Sequence, residues 1–319
     1  MIVGRRKWAI FIVTLLVVVA GSIFVVRGAE VLPANGEGSF IENTLRGFAN
    51  EKLVVLYVDG VIAEGSSFGS SFEAQSFIEQ LNQVIEDDLV KALVLRINSP
   101  GGTVVSSDEI YEKIIEVQQA GKKVIVSMGN IAASGGYYIA APADYIFANR
   151  ATLTGSLGVI FTLPNYQGIA EWIGYKETNI QSGQFKDLGN PLRELREDEK
   201  VIYQALIAES YDRFVDIIAE GRQLTREQTY RLADGRIFSG NQALERGLID
   251  ELGSFEDAIA YTIEQIGNDD VRVIEYERPF SLLDAFLSFE NKRNEPISRA
   301  LGELLPRSNE PGLMYMYQP

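Results

Sequence analysis

The sequence predicts an α/β fold with a buried, mostly parallel sheet. Short β-branched apolar runs end at turn-forming residues, and segments with helical spacing of apolar residues lie between them. The chain has 319 residues, of which 46% are hydrophobic, enough to bury one sizeable core. Because strands alternate with helices along the chain, we expect a layered fold whose strands are covered on both faces.

The first half of the domain shows this alternation clearly. Its first strand is predicted at residues 52–62 (KLVVLYVDGVI), a run that ends near the turn signal Asp59-Gly60. The next elements alternate in type: a helix over 72–85, a strand over 90–99, a helix around 110–117, a strand over 122–129 and a short helix over 135–141.

The second half is denser in short elements. Three strands are predicted close together, at residues 145–149, 155–161 and 176–182. A long amphipathic helix follows over about 194–220, and two short helices flank a turn within 224–250. A final helix is predicted near 255–266.

The amino terminus has the pattern of a membrane span. Residues 8–26 are a run of 19 uncharged residues after Arg5, Arg6 and Lys7. A helix of that length is roughly 28 Å long, about one hydrocarbon core. The positive charge before the span places the first residues in the cytoplasm and the rest outside. The alternative is a cleaved signal peptide with a cleavage site at Val18-Val19-Ala20.

These patterns divide the chain into four parts. Residues 1–27 are predicted as a cytoplasmic stub with a transmembrane anchor, and residues 28–50 as a linker rich in Gly, Glu and Asn. The globular domain is predicted at 51–266, and 267–319 as a looser tail with an apolar end, GLMYMY.

Composition excludes several kinds of chemistry. The sequence contains no histidine and no cysteine. Thiol nucleophiles, imidazole bases, disulfides and His or Cys metal ligands are therefore excluded, and no calcium-loop pattern suggests a metal site. With 44 acidic and 29 basic residues, the net charge of −15 argues against nucleic acid as a partner.

The stretch NIAASGGYYIA (130–140) surrounds Ser134 with very small residues. On one interpretation Ser134 only caps the helix that follows. On the other it is a nucleophile at a helix start, where free N–H groups can stabilise an oxyanion. A serine hydroxyl needs a base, which here must be a carboxylate or a lysine. Keeping a lysine neutral at pH 7 costs roughly 4.6 kcal/mol, which burial can supply.

Four motifs together resemble the signal peptide peptidase A family, over about residues 53–255. The family consists of membrane-bound Ser-Lys serine proteases. The resemblance implies a Clp/crotonase-type ββα superhelix preceded by one N-terminal transmembrane helix, with no cofactor and no metal. The motifs are NSPGG (98–102), MGNIAASGGYYIA (128–140), TGSLGVI (154–160) and SGQFKDLGNP (182–191).

The resemblance also assigns roles to residues. It implies that Ser134 is the nucleophile, that Lys186 is the general base and that Ser156 hydrogen-bonds the lysine amine. Asp187 is expected to face away from Lys186, because an ion pair would keep the amine protonated. The oxyanion donors are backbone N–H groups of Gly101 or Gly102 and of Gly135. The residues expected to bind or shape the peptide site are Ile131, Leu157, Gly158, Val159 and Ile160.

The function implied is that of a membrane-anchored serine endopeptidase that degrades released signal peptides and similar hydrophobic peptides. Its implied partners are such peptides, the membrane and further copies of the chain, a homo-oligomer whose sites face a shared cavity. The catalytic domain is expected outside the cytoplasm. We also expect the end of the tail, 312–319, to dock in a neighbour's peptide groove. The alternatives are a crotonase-like acyl-transfer enzyme and a non-catalytic membrane scaffold.

Overall fold

A computed structural model describes residues 40–64, 71–278 and 313–317. The predicted anchor at 8–26 lies outside these ranges. Within them, no helix combines the length and the apolar character needed to cross a membrane.

The described residues form a mixed α/β fold, as predicted. The strands are β1 (Ile41–Arg46), β2 (Lys52–Asp59), β3 (Val61–Ala63), β4 (Ser71–Glu73), β5 (Val90–Ser99), β6 (Gly101–Thr103), β7 (Lys123–Ala133), β8 (Tyr145–Ala148), β9 (Leu153–Gly155), β10 (Ile237–Ser239), β11 (Glu251–Leu252), β12 (Arg272–Glu277) and β13 (Met314–Met316). The helices are α1 (Ala74–Glu86), α2 (Val104–Gln119), α3 (Gly135–Ala140), α4 (Gln167–Ile173), α5 (Glu197–Gly221), α6 (Arg226–Leu232), α7 (Gly240–Glu245) and α8 (Phe255–Ile266).

The larger sheet is parallel through its centre. Its strand order is β1-β12-β2-β5-β7-β8-β11, and all pairs from β12 to β11 are parallel. Strand β1 is antiparallel to β12, and β9 continues the sheet beside the end of β7. A smaller sheet has the strand order β13-β6-β3-β4, and its strand β6 follows directly after β5 in the chain.

Successive residues of the central strands enter two different cores. On β2, Val54 and Leu56 belong to the main core, which also contains buried residues of α1, α2, α3 and α5. Leu53 and Val55 belong to the second core, under α8. Because both faces of the sheet are covered, its strands are continuous apolar runs, which is the pattern that the sequence shows.

Two predicted strands are wrong. Residues 155–161 do not form a strand beyond Gly155, because Ser156 has a φ of 50°, which extended backbone does not adopt. Residues 176–182 are exposed throughout and have no strand beside them in the described part of the chain, so their backbone forms no ladder there.

The sheet extends past both ends of the predicted domain. Strand β1 lies within the predicted linker, and β12 lies within the predicted tail. The two strands pair with each other, and β12 pairs with β2. Each is too short and too charged to show clear periodicity in the sequence alone.

Candidate active site

Ser134 occupies the turn between β7 and α3. Its backbone has a φ of 52° and a ψ of −115°, a conformation that is unfavourable for a residue with a side chain. Such strain is typical of functional turns. The side chain is only 1% exposed, and its Oγ has no hydrogen-bond partner among the described residues. The hydroxyl is therefore buried, and no other described group engages it.

Ser156 lies beside Ser134 because β7 and β9 are parallel neighbours. Ala133 at the end of β7 pairs with Gly155 at the end of β9, so each strand is followed at once by one of the two serines. The N–H of Ser134 donates to the Gly155 carbonyl at 2.8 Å. Ser156 is also buried, and its backbone has a left-handed conformation with a φ of 50°. The fold thus brings the two predicted serines together.

Three glycine backbones converge next to Ser134. Gly101, which starts β6, has a φ of +109°, and a Cβ there would lie 2.7 Å from the Gly135 nitrogen. A Cβ on Gly135 would lie 3.0 Å from the Gly102 nitrogen. Only glycine permits so close an approach. The Gly101 N–H donates to Ser99 Oγ at 3.1 Å, which leaves the N–H groups of Gly102 and Gly135 for a bound carbonyl. The predicted oxyanion glycines therefore form one cluster, which we call the glycine cluster.

An extended segment of the chain itself lies on the glycine cluster. Strand β13 is antiparallel to β6, with Tyr315 opposite Gly102. The Tyr315 carbonyl oxygen lies 2.0 Å from where a Cβ of Gly101 would be and 3.1 Å from that of Gly135. The tail end thus occupies a groove of its own chain with one carbonyl at the glycines.

The opposite wall of this groove is residue Ile160. Ile160 and Met314 exchange both backbone hydrogen bonds, at 3.0 and 3.1 Å. An extended peptide is therefore held by strand pairing on both sides, by β6 and by the segment that includes Ile160. Gly158, Val159 and Ile160 also line an adjoining cavity of about 440 Å³ with Ser156 and Met316.

The Tyr315 side chain fills a closed aromatic pocket. Its ring centroid lies 4.7 Å from that of Tyr138 and 4.7 Å from that of Phe214. Its hydroxyl donates to the Ser210 carbonyl at 2.8 Å, and the Tyr138 hydroxyl donates to Asp108. Burial raises the pKa of both tyrosines, so both phenols stay neutral. This pocket was not predicted from the sequence. The features that could have suggested it are the two adjacent tyrosines of the Ser134 motif and the aromatic tail.

Two of the predicted peptide-site residues lie elsewhere. Leu157 is fully buried in the main core. Ile131 lies on β7, paired with Leu153, and its N–H donates to the Asn98 side chain. Neither residue lines the cavity beside Ser156.

Lys186 lies on an exposed loop of turns between residues 182 and 191. Within the described ranges, its amine makes no hydrogen bond and no ion pair within 4.0 Å, and Ser134 Oγ has no partner. In the described part of one chain, Lys186 and Ser134 are therefore not hydrogen-bonded to each other. Asp187 is paired instead with Arg193, whose Nη2 lies 3.1 Å from Oδ1.

No group of carboxylates in the described part of the chain is arranged to hold a metal ion. The chemistry available at the site is that of the serine hydroxyl and the backbone N–H groups. An acyl group transferred to Ser134 would have its oxyanion at the glycine cluster.

Two family models match parts of this chain. The model of peptidase family S49 matches residues 116–267, and a Clp protease model matches residues 51–162. The chain is 40% identical over 247 residues to "Putative signal peptide peptidase SppA" of Enterococcus faecium, covering 76% of this chain and 72% of that protein. The chain belongs to peptidase family S49.

This S49 chain is therefore a serine peptidase. It is also 34% identical over 244 residues to "Serine protease SPPA, chloroplastic" of Arabidopsis thaliana, which covers 75% of this chain and 36% of that protein. Among solved structures, the ClpP1 N165D mutant from Listeria monocytogenes aligns with a TM-score of 0.43 and 20% identity. The alignment covers 64% of the peptidase and 94% of that chain.

Proposed function

We propose that this S49 peptidase is a membrane-anchored endopeptidase that degrades released signal peptides and similar hydrophobic peptides through Ser134 and Lys186. The observation that carries the proposal is β13, an apolar extended segment whose Tyr315 carbonyl lies at the glycine cluster. A signal peptide is likewise apolar and unfolded once released. The name of the Enterococcus faecium relative supports the same class of substrate.

In the proposed reaction, Ser134 Oγ attacks the scissile carbonyl while Lys186 takes the hydroxyl proton. The glycine cluster donates N–H groups to the oxygen that becomes negative. The protonated lysine then gives its proton to the leaving amine as the C–N bond breaks. Water, deprotonated by the same lysine, hydrolyses the ester on Ser134 and restores the hydroxyl.

The position of Tyr315 supports a preference at the residue before the cleaved bond. Its carbonyl is the one at the glycine cluster, and its side chain fills the pocket between Tyr138 and Phe214. We therefore propose that an aromatic or large apolar side chain occupies this pocket in a substrate. The substrate residues on each side of it would be selected less strictly, because the corresponding residues of the tail, Met314 and Met316, have flexible side chains.

We further propose that Lys186 reaches Ser134 of a neighbouring copy in a homo-oligomer. The loop of Lys186 follows a surface with large exposed hydrophobic side chains: Trp172 is 86% exposed, Ile173 64% and Ile180 99%. Large exposed apolar side chains in the segment that leads to Lys186, whose amine has no partner among the described residues, are typical of an interface. Covering this surface with a second copy would also remove water from the amine, which favours its neutral form.

The proposed anchor is residues 8–26, which places the catalytic domain outside the cytoplasm. A site confined between membrane and neighbouring copies would admit flexible peptides and exclude folded proteins. Membership in a peptidase family argues against the acyl-transfer alternative. The scaffold alternative is decided by the experiment below.

The proposal is tested with a fluorogenic apolar peptide and a fluorophosphonate probe. We expect Ser134→Ala and Lys186→Ala each to lower kcat/KM by about 1,000-fold or more with folding retained. The probe should label Ser134 in the wild-type enzyme. Lys123→Ala is the matched control, because Lys123 is an exposed lysine paired with Asp144 and should leave activity unchanged. If the wild-type protein cleaves the peptide no faster than Ser134→Ala and the probe does not label Ser134, the scaffold alternative holds instead.

A further inference from the structure

The guanidinium group of Arg193 links the loop that carries Lys186 to the start of α5. Arg193 donates to both oxygens of the Glu199 carboxylate, from Nη1 at 2.8 Å and from Nη2 at 2.5 Å. The same Arg193 donates from Nε to the Asp187 carboxylate at 3.2 Å and from Nη2 to the Asp187 carbonyl at 3.0 Å. The residue directly after Lys186 is therefore bound to the helix through side chain and backbone.

Glu199 fixes the other end of this linkage. It is the third residue of α5, its side chain is fully buried, and it also accepts the backbone N–H of Arg196 at 2.9 Å. A fully buried carboxylate is tolerated only when it is paired and hydrogen-bonded. The hydrogen bonds from Arg193 lower the pKa of Glu199 to about 2, so the pair stays ionised at all working pH values. We call Asp187, Arg193 and Glu199 the ionic clamp.

The residues before Lys186 are tethered to the same helix start. The Gln184 side chain donates to Asp198 at 2.7 Å, and the Gln184 carbonyl accepts from Arg196 at 3.0 Å. The Arg196 guanidinium also lies over the Phe185 ring, 5.8 Å from its centroid. Both flanks of Lys186 are thus held, while its own amine stays free among the described residues. The loop presents the lysine on a fixed support.

The ionic clamp also controls the charge next to Lys186. An Asp beside a lysine favours the ammonium form, which is inactive as a base. Here the Arg193 guanidinium pairs with the Asp187 carboxylate and holds the pKa of Asp187 below its usual range. Arg196 faces the same carboxylate at 3.8 Å. The other charged groups lining the adjoining cavity with Asp187 and Arg193 are Glu171, Lys176 and Glu177.

We propose that Arg193, anchored by Glu199, is a positioning residue for the catalytic lysine: it holds the Lys186 loop and prevents Asp187 from pairing with the Lys186 amine. This inference rests on the proposed role of Lys186 as the general base. Arg193 acts only through Lys186 and Asp187 and has no contact with the peptide groove in β13 and β6. Its loss should therefore change the protonation of the base and the chemical step more than peptide binding.

The test is the pH dependence of kcat/KM for full-length enzyme carrying Arg193→Gln. We expect the ascending limb to move to higher pH by about one unit, because the released Asp187 pairs with Lys186. At pH 7, kcat should fall at least about tenfold while KM changes less than about twofold. Adding Asp187→Asn should move the limb back towards the wild-type position, and Arg193→Lys should rescue only part of kcat, because lysine lacks the two-pronged geometry.

Two controls make the result decisive. Arg231→Gln removes a surface arginine paired with Glu227 and should leave the pH profile unchanged. Melting temperature and particle size report whether each variant folds and assembles. If Arg193→Gln fails to fold or assemble, the pH profiles of Arg193→Lys and Asp187→Asn are compared instead. A folded, assembled Arg193→Gln enzyme with the wild-type pH profile overturns the inference, and so does a shifted limb that Asp187→Asn does not reverse. An active Lys186→Ala enzyme would instead overturn the proposed function itself.

Discussion

Gly101 and Gly121 are both left-handed glycines, but only Gly101 faces other backbone atoms. Gly101 has a φ of +109°, and a Cβ there would lie 2.0 Å from the Tyr315 carbonyl oxygen. Gly121 follows the end of α2 with a φ of +80°, and a Cβ there would meet nothing within 4 Å. The pair therefore separates the cost of a strained backbone from the cost of blocking the site of a bound carbonyl.

We expect Gly101→Ala to lower kcat/KM by about 100-fold or more, because the added methyl group displaces the carbonyl from the N–H donors. Gly121→Ala should lose about 1 kcal/mol of folding free energy and keep its activity. Both are checked by steady-state kinetics and thermal unfolding. Equal activities for the two variants would show that the glycine cluster does not bind the reacting carbonyl.

Ser156 permits a cleaner test than most serines, because its φ of 50° suits glycine. Ser156→Gly removes the hydroxyl without adding strain. If that hydroxyl orients the lysine amine, kcat should fall by about 10- to 100-fold with little change in KM. Steady-state kinetics with the fluorogenic peptide measure both constants. A variant with unchanged kcat would mean that Ser156 only shapes the turn.

At the residue scale, short motifs predicted the parts of the site that lie close to a strand end. The motifs placed Ser134, Ser156 and the glycines, and the structure brings them together. The aromatic pocket was not predictable, because Tyr138, Phe214 and Tyr315 are far apart in the sequence and look like ordinary core residues. The hydrophobic pattern also gave no sign of a left-handed serine, since it reports only helical or extended spacing.

At the scale of elements, the tail strand β13 occupies the groove between β6 and Ile160, where a peptide substrate is proposed to bind. A segment joined to the enzyme competes with free peptides at a high effective concentration. We expect deletion of residues 312–319 to raise kcat/KM for short peptides by about three- to tenfold. The separate peptide GLMYMYQP should then inhibit the shortened enzyme more strongly than the intact one.

Tyr315→Ala is the matched control for this deletion. It keeps the tail length and the backbone pairing with β6 but empties the pocket between Tyr138 and Phe214. It should give an intermediate gain in kcat/KM. An unchanged rate after deletion would mean that the tail leaves the groove freely in solution.

Element prediction succeeded where burial alone decides the pattern. Strand β5 and helix α8 have the predicted bounds, because each fills a core with regular spacing. The errors at 155–161 and 176–182 have different causes. In the first, the turn at Ser156 overrides a strand-like composition. In the second, the β-forming residues have no neighbouring strand among the described residues, and propensity alone does not make a sheet.

At the scale of the whole molecule, one chain places the proposed nucleophile in a formed site but does not bring the proposed base to it. Ser134, Ser156 and the glycines lie at the ends of adjacent parallel strands, which is where α/β sheets place their ligands. Lys186 lies instead on a surface loop that the ionic clamp holds in place. The proposed pairing of the two residues across neighbouring copies could not be predicted from the sequence, because the spacing of two residues does not show which copy each belongs to.

Co-expression of two inactive subunits tests this arrangement directly. In a mixed ring of Ser134→Ala and Lys186→Ala subunits, each site takes its serine from one subunit and its lysine from the neighbour. A site is intact only when a Lys186→Ala subunit supplies the serine and a Ser134→Ala subunit supplies the lysine. An equal mixture should therefore recover about a quarter of wild-type kcat per subunit, since each condition holds for half of the subunits. Pairing Ser134→Ala with the double variant Ser134→Ala/Lys186→Ala should recover nothing. If the first mixture is also inactive although the particles are shown to be mixed, both residues act within one chain and the exposed loop must fold back onto its own serine.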